Sequence, residues 1–484
     1  MNVYDQQLAP SCAKIGKDWI DVDGVATFDV DNPATGEVLA TLPDLGADHT
    51  TKAIDAAHEA LSFWRETTAK ERAVILRRWH DLILSEKDKL ATILSLESGK
   101  PLKEALGEVA YGAAYIEWFA EEAKRVYGDV IPSARKDTRM MAIKQGIGVV
   151  AAITPWNFPI AMITRKAAPA LAAGCCVVVK PAEATPLSAI ALAKLADDAG
   201  IPNGAFSVVT ASHGKDVGRV MCEDQRVRKL SFTGSTPVGK ILLQQCASNV
   251  KKVSMELGGN APFIVFDDAD IDAAIEGAMA SKFRNTGQTC VCSNRFFVQR
   301  GAYDEFSRKL VKRVAALKVG NGLLPDIDQG PLINQAAVKK VEALVANAVD
   351  QGASVLCGGG HPSETGTFYS PSVLADVTVE MDIAHTEIFG PVAPIIVFDN
   401  EEEAVTLANN TPFGLASYFY SRDVGRCMRV AEKLEYGMVG INEGLISSEA
   451  APFGGVKESG LGREGSKYGI DDYTEIKYLC FGGI

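Results

Sequence analysis

No run of this 484-residue chain approaches the ~20 consecutive apolar residues that a membrane-spanning helix needs. Histidine is scarce. The six stand at 49, 58, 80, 213, 361 and 385 without a spaced pair, and there is no CxxC…CxxC or HExxH, so a zinc site would lack its ligand set. No metal is expected. Basic residues are outnumbered, 49 Lys and Arg against 61 Asp and Glu, which gives a net charge of −12 with no basic tail or Lys/Arg-rich run. Such a surface repels a phosphate backbone, so neither nucleic acid nor a membrane is an expected partner. The opening MNVYDQQLAPSCAKIGKDW lacks the basic-then-apolar order of a signal peptide. The ten cysteines are scattered rather than framed for disulfides, which suits a reducing compartment, and a cytoplasmic address is expected.

What is present has the balance of a globular protein, 47% hydrophobic and 23% charged, at a length that suggests two or three domains. Residues 47–124 carry helical spacing; the segment 68–79 places its apolar residues three and four apart. Between 127 and 148, Gly and Pro breaks with alternating residues predict a hairpin or arm. From 149 onward, β-branched runs at 149–154, 176–180, 206–210 and 228–233 alternate with helix-like segments. This βαβ repetition predicts a parallel sheet, with a dinucleotide crevice beyond its carboxyl ends. A second α/β segment starts with the strand 261–266, after which Asp268 is the expected helix cap and Ile271, Ile275 and Met279 share a face. The alternating tail 473–481 reads as a strand that pairs with another segment or subunit.

Two motifs mislead. GSTPVGK (234–240) nearly matches a phosphate-binding P-loop, but the position after the lysine is Ile241 and cannot hold magnesium. Its strand–Gly–helix setting still favours backbone N–H groups facing a phosphate. GLGREG (460–465) fits G-x-G-x-x-G without the preceding strand and following helix that the motif requires, and reads as a loop.

Three other stretches mix glycine, polar groups and one reactive residue: TPWNFP (154–159), MELGGN (255–260) and GQTC (287–290). A packed core has little use for Asn157, Glu256 or Gln288. Cysteine attacks carbonyls as its thiolate. Glu256 suits a general base if burial raises its pKa, and the Asn157 amide suits an oxyanion donor. The bland readings are a buried Cys, a strand-end Glu and a turn Asn; their conjunction favours a site.

These stretches, with KPAEATP (180–186), SFTGST (231–236), EIFGP (387–391) and PFGGVKESGLGREG (452–465), occur in the order and spacing of the aldehyde dehydrogenase superfamily, which the chain resembles over essentially its full length. The resemblance implies an α/β fold with a Rossmann-type cofactor domain (1–126 and 147–257), an α/β catalytic domain (258–458) and a small β oligomerisation element (127–146 and 459–484). It implies Cys290 as nucleophile, Glu256 as general base and Asn157 as oxyanion donor. Trp156, Lys180, Glu183, Gly234, Ser235, Leu257, Glu387 and Phe389 fall on cofactor-contacting positions, and a homodimer or homotetramer is implied.

FRNTGQTCVCSNR (283–295), GLISS (444–448) and GREGSKYGIDDYTEIKY (462–478) look most like the succinate-semialdehyde dehydrogenase branch. A small-molecule semialdehyde is then the implied substrate. Glutarate semialdehyde, or a CoA-acylating reaction, is the alternative. Arg165, set in an otherwise apolar helical segment, Arg284, and a hydroxyl from Ser448 or Ser447 are the candidate grip for its carboxylate. The alternative for either arginine is a structural acid partner. The cofactor is NAD or NADP. NAD is favoured because a carboxylate at Glu183 accepts from ribose hydroxyls and repels a 2′-phosphate, although Lys180 would suit that phosphate. Cys292 is a candidate redox partner of Cys290 if both thiols are exposed, and otherwise a spectator.

Overall fold

Two parallel sheets organise the chain in the computed structural model, which describes residues 4–363 and 365–484. In the first, Lys252–Glu256, Val227–Thr233, Val149–Ile153, Cys176–Lys180 and Phe206–Val208 lie side by side in that order, all parallel. The chain builds outward from Val149–Ile153 on one side, then returns to its other side with Val227–Thr233. The resulting switch point is where a crevice opens beyond the carboxyl ends of the strands. Residues of Cys176–Lys180 are buried throughout, as expected of a strand covered by helices on both faces.

The second sheet orders Ser354–Cys357, Ser372–Ala375, Val392–Phe398, Ser293–Gln299, Ala261–Val265, Ala416–Tyr420 and Met438–Ile441. Only its Ser354–Cys357 edge is antiparallel. A third sheet pairs the tail strand Thr474–Gly482 antiparallel with Thr138–Gly146, which also pairs with Asp129–Ile131. Gly460–Leu461 does not join that small sheet; it forms an edge of the first, antiparallel to Met255 and Glu256. No helix among the described residues is long and apolar enough to cross a membrane.

Helix Ala47–Trp64 lies against the first sheet, and Lys87–Ser98 and Leu102–Glu122, packed on the helices that cover it, carry buried carboxylates that hold the starts of those helices. Glu97 accepts from the Leu187 and Ser188 N–H groups (2.8 and 3.0 Å), at the start of Pro186–Ala199. Glu108 accepts from Ile160 N–H (3.0 Å) at the start of Pro159–Ala172, the helix that bears Arg165. A carboxylate satisfies orphan donors there and complements the helix dipole. Gly112 lets these helices close: a Cβ on it would lie 2.7 Å from Ile160 Cγ2.

The expected cap at Asp268 is corrected. Helix Ile271–Lys282 is capped by Asp270, whose side chain accepts from Ala273 N–H at 3.1 Å. Asp268 instead accepts from the Arg422 and Asp423 N–H groups (3.0 Å each) and pairs with Arg426 at 2.7 Å. Both aspartates precede the same helix, and only the register of its first turn separates their roles. Ile275 is buried on the helix's inner face, with Ile271 and Met279 partly buried against the same core.

Candidate active site

Cys290 is presented by a loop that bends in an unusual way. Asn285, Thr286 and Gly287 all have positive φ (52°, 58° and 73°), a conformation costly for the first two side chains. The surroundings hold them there. Asn285 N–H donates to Glu104 (2.9 Å), Thr286 Oγ1 donates to Gly330 O (3.1 Å), and the Gln288 side chain accepts from Ile333 N–H (2.9 Å). Glycine is required at 287 for a second reason: a Cβ would sit 2.2 Å from Gly390 O, in the EIFGP segment. Gly259 makes a matching approach, its virtual Cβ 2.6 Å from Cys290 O. GQTC, ELGGN and EIFGP thus meet at backbone contact.

Asn157 follows Val149–Ile153, at the switch point. Its Nδ2 gives one hydrogen to Gln288 O (3.0 Å), leaving the second, and the Cys290 N–H has no protein acceptor among the described residues. The Asn157 carbonyl is held by the buried Lys100 (2.8 Å) and by Asn285 Nδ2 (3.0 Å), and Lys100 is itself paired with Glu108 at 2.5 Å. Glu256 ends Lys252–Glu256. It is 2% exposed, and neither carboxyl oxygen has a hydrogen-bond partner among the described residues. Burial lifts its pKa well above the ordinary carboxylate range, and neighbouring Glu464 adds to this against Arg165, Lys166 and Arg463. The Cys290 thiol is pushed up to about 12, chiefly by burial, with Arg165 as the main opposing charge. At neutral pH it is therefore held as the thiol, and a reaction must remove its proton.

Two cavities meet at this cysteine, and Cys290 is the one residue lining both. The larger, about 300 Å³, lies over the carboxyl ends of the first sheet and is lined by Trp156, Gly234, Ser235, Leu257, Glu387 and Phe389, together with Asn157 and Glu256. Helix Thr236–Cys246 opens onto it with no side-chain cap, and Thr233 Oγ1 is buried there without a partner. An uncapped helix start beside an orphaned hydroxyl fits the phosphates of a dinucleotide. Glu387 accepts from Gly259 N–H (3.0 Å), and burial raises its carboxyl to about 7. Lys240, the lysine of the P-loop look-alike, instead pairs on the surface with Glu458 at 2.8 Å. Lys180 and Glu183 stand 3.5 Å apart beyond the neighbouring strand, Lys180 buried and Glu183 exposed.

The smaller cavity, about 20 Å³, is lined by Tyr111, Phe158, Arg165, Arg284, Ser447 and Phe453, among others. Arg165 makes an ion-pair contact through Nε with Glu464, without hydrogen-bond alignment, and its Nη2 is buried with no partner. Arg284 has no carboxylate within ion-pair distance among the described residues; its guanidinium lies 5.4 Å from the Phe158 ring centre. One guanidinium is half-engaged and the other is free. Ser447 lines the cavity. Ser448 does not; its Oγ lies 3.4 Å from Glu449 and accepts from Ala450 N–H at 3.3 Å. Cys292 is 4% exposed and its thiol donates to Lys282 O (3.1 Å), so the condition of two exposed thiols is not met. Glu464, Lys166, Lys100 and Glu108 were not singled out from sequence. Glu464 lies within the quoted GREG stretch, so a signal was present for that one.

A buried thiol shared by two cavities, one of them at the switch point of a parallel sheet, is the layout expected of a pyridine-nucleotide-dependent oxidoreductase that works through a cysteine. The aldehyde dehydrogenase family profile matches residues 19–479, and the chain belongs to the aldehyde dehydrogenase family, whose members use NAD or NADP. It is 58% identical over 484 residues to the glutarate-semialdehyde dehydrogenase of Pseudomonas aeruginosa, covering 100% of each. It is 57% identical over 482 residues to the NADP-dependent succinate-semialdehyde dehydrogenase of Escherichia coli K12, again covering 100% of each. The crystal structure of succinate-semialdehyde dehydrogenase from Burkholderia pseudomallei superimposes with a TM-score of 0.98 at 59% identity, covering 100% of both chains.

Glu256 generates a prediction. Because its raised pKa leaves the base form scarce at low pH, steady-state turnover should climb as pH rises through neutrality. Glu256→Gln should lower that turnover by about 10²–10⁴-fold and flatten the climb, while keeping a first-turnover burst of reduced cofactor. A variant with wild-type turnover and pH profile would remove Glu256 as the base.

Proposed function

We propose that this chain oxidises succinate semialdehyde to succinate with NAD or NADP. The observation that carries the reading is the position of Cys290 as the sole residue shared by the two cavities, one of which holds Arg165 and Arg284. An aldehyde bearing an acid at its far end satisfies both guanidiniums while its carbonyl reaches the thiol.

The reaction follows from the side chains. Cys290 Sγ adds to the carbonyl carbon as its thiol proton is lost to water in the cleft, and the developing alkoxide accepts from Asn157 Nδ2 and the Cys290 N–H. The bound nicotinamide supplies the hydride acceptor. Glu256 then takes a proton from water as the water attacks the thioester on Cys290, releasing the acid. Its buried, unpartnered oxygens favour water over CoA as the acyl acceptor. Glutarate semialdehyde is a second reading, favoured by the equal likeness to its dehydrogenase. One methylene is discriminated by only ~1–3 kcal/mol, so the two substrates should overlap.

The same proposal includes a cytoplasmic enzyme, in keeping with ten free cysteines, and a homodimer or dimer of dimers. The small sheet supports such assembly, since Val130, Ile476 and Tyr478 are 81%, 73% and 57% exposed on it. A monomeric mass by light scattering, with activity intact, would contradict that part.

Arg284→Ala is the cleaner test of the acid grip, because removing Arg165 also leaves buried Glu464 short of a partner. Arg284→Ala should cost about 1.5–3 kcal/mol in kcat/KM for succinate semialdehyde and little for an uncharged aldehyde such as butanal. Equal losses on both would make the arginine structural. For the cofactor we propose a preference for NAD, resting on the exposed Glu183 carboxylate. Comparing kcat/KM for both cofactors reads it directly. Glu183→Ser should move the ratio toward NADP, and a wild-type preference of about tenfold for NADP would refute the role given to Glu183.

A further inference from the structure

We propose that Tyr111 is a third donor to the substrate's anionic head, with its phenolic hydrogen turned into the pocket by Tyr115. The inference rests on the acid-bearing substrate proposed above and extends it to a specificity-determining residue and a positioning residue.

Tyr111 and Tyr115 sit one turn apart on helix Leu102–Glu122, with ring centres 5.1 Å apart and edge to face. Their hydroxyl oxygens are 2.7 Å apart. Tyr115 is fully buried, whereas Tyr111 lines the smaller cavity beside Arg165 and Arg284. A phenol carries one hydrogen, so one ring donates and the other accepts.

Burial decides the direction. Among the described residues, the Tyr115 hydroxyl has no hydrogen-bond partner except Tyr111. Were Tyr111 the donor, the Tyr115 hydrogen would be sealed in the interior with no acceptor, which carries a large desolvation penalty. Tyr115 therefore donates and Tyr111 accepts. The hydrogen of Tyr111 is left for the cavity, whose charged lining residues, Arg165 and Arg284, cannot accept it; the nearby Glu464 carboxylate is taken up by Arg165 and Lys166. Burial raises the phenol's pKa against the pull of Arg165, which keeps that hydrogen in place through the working pH range. A carboxylate oxygen is the acceptor best matched to that hydrogen and two guanidiniums together. An uncharged aldehyde of the same length brings no such oxygen and gains nothing from it.

Steady-state kinetics on the intact enzyme, with succinate semialdehyde and butanal compared in parallel, tests the assignment. Tyr111→Phe keeps the ring and its packing. It should lower kcat/KM for succinate semialdehyde roughly tenfold, mainly through KM, and leave butanal unchanged. Tyr115→Phe leaves Tyr111 its own hydrogen but no longer fixes its direction, and should cost about threefold on the charged substrate and nothing on butanal; no loss on the charged substrate would remove the positioning role. Three results would overturn the proposal: equal loss on both aldehydes with Tyr111→Phe, no loss on either, or a Tyr115→Phe loss as large as that of Tyr111→Phe. A wild-type enzyme that shows no preference for the charged aldehyde would instead defeat the acid-bearing reading itself, and this assignment with it. The wild-type ratio thus separates the two failures.

Discussion

Glu464 is buried between Arg165 and Lys166, and that one ionic cluster sets the electrostatics on both sides of the nucleophile. Burial alone would raise the Glu464 carboxyl, but the two cations outweigh it and hold Glu464 below the usual range. Once charged, it holds Lys166 at 2.5 Å and contacts Arg165 through Nε, leaving Nη2 unpartnered. Its negative charge also raises Glu256, which therefore stays protonated until the pH climbs or the reaction proceeds. A buried cation of this kind persists only because the acid compensates it, and each member depends on the others. The smaller cavity and Glu256 are therefore coupled electrostatically through Glu464, which lines neither cavity.

The second constraint is backbone proximity. Gly259 and Gly287 are placed where a Cβ would collide with the backbone carbonyls of Cys290 and Gly390 respectively. Segments far apart in sequence are thereby locked at backbone contact, and the loop 285–288, left-handed over 285–287, is held by hydrogen bonds with two other parts of the chain, Glu104 and the segment 330–333. Such a loop has little freedom to move the thiol. Reactivity must come from proton removal, since burial holds Cys290 as the thiol.

Much of this was legible because local pattern and global fold agree. The β-branched runs from 149 onward form the first sheet, and the alternating tail forms a strand against Thr138–Gly146. Arg165 and Arg284 stood out because a charge in an apolar helix, or just before a nucleophile, needs a reason. Other features were not legible. Asp268 and Asp270 both precede the same helix, and only three-dimensional register shows which one caps it. Ser447 and Ser448 are adjacent, and the turn of the chain decides which side chain faces the cavity. Lys100 and Glu108 act on Asn157 across 57 and 49 residues of sequence, through contacts that no local spacing encodes. The direction of the Tyr111–Tyr115 hydrogen bond needs knowledge of what else surrounds Tyr115.

The most direct test of the central claim, that Cys290 joins the two cavities chemically, is a single-turnover experiment with Cys290→Ala. Succinate semialdehyde and the nicotinamide cofactor are mixed with excess variant, reduced cofactor is followed by absorbance, and cofactor binding is checked by calorimetry. The variant should bind the cofactor with near wild-type affinity and produce no reduced cofactor. Formation of reduced cofactor at anything close to the wild-type single-turnover rate would contradict the account.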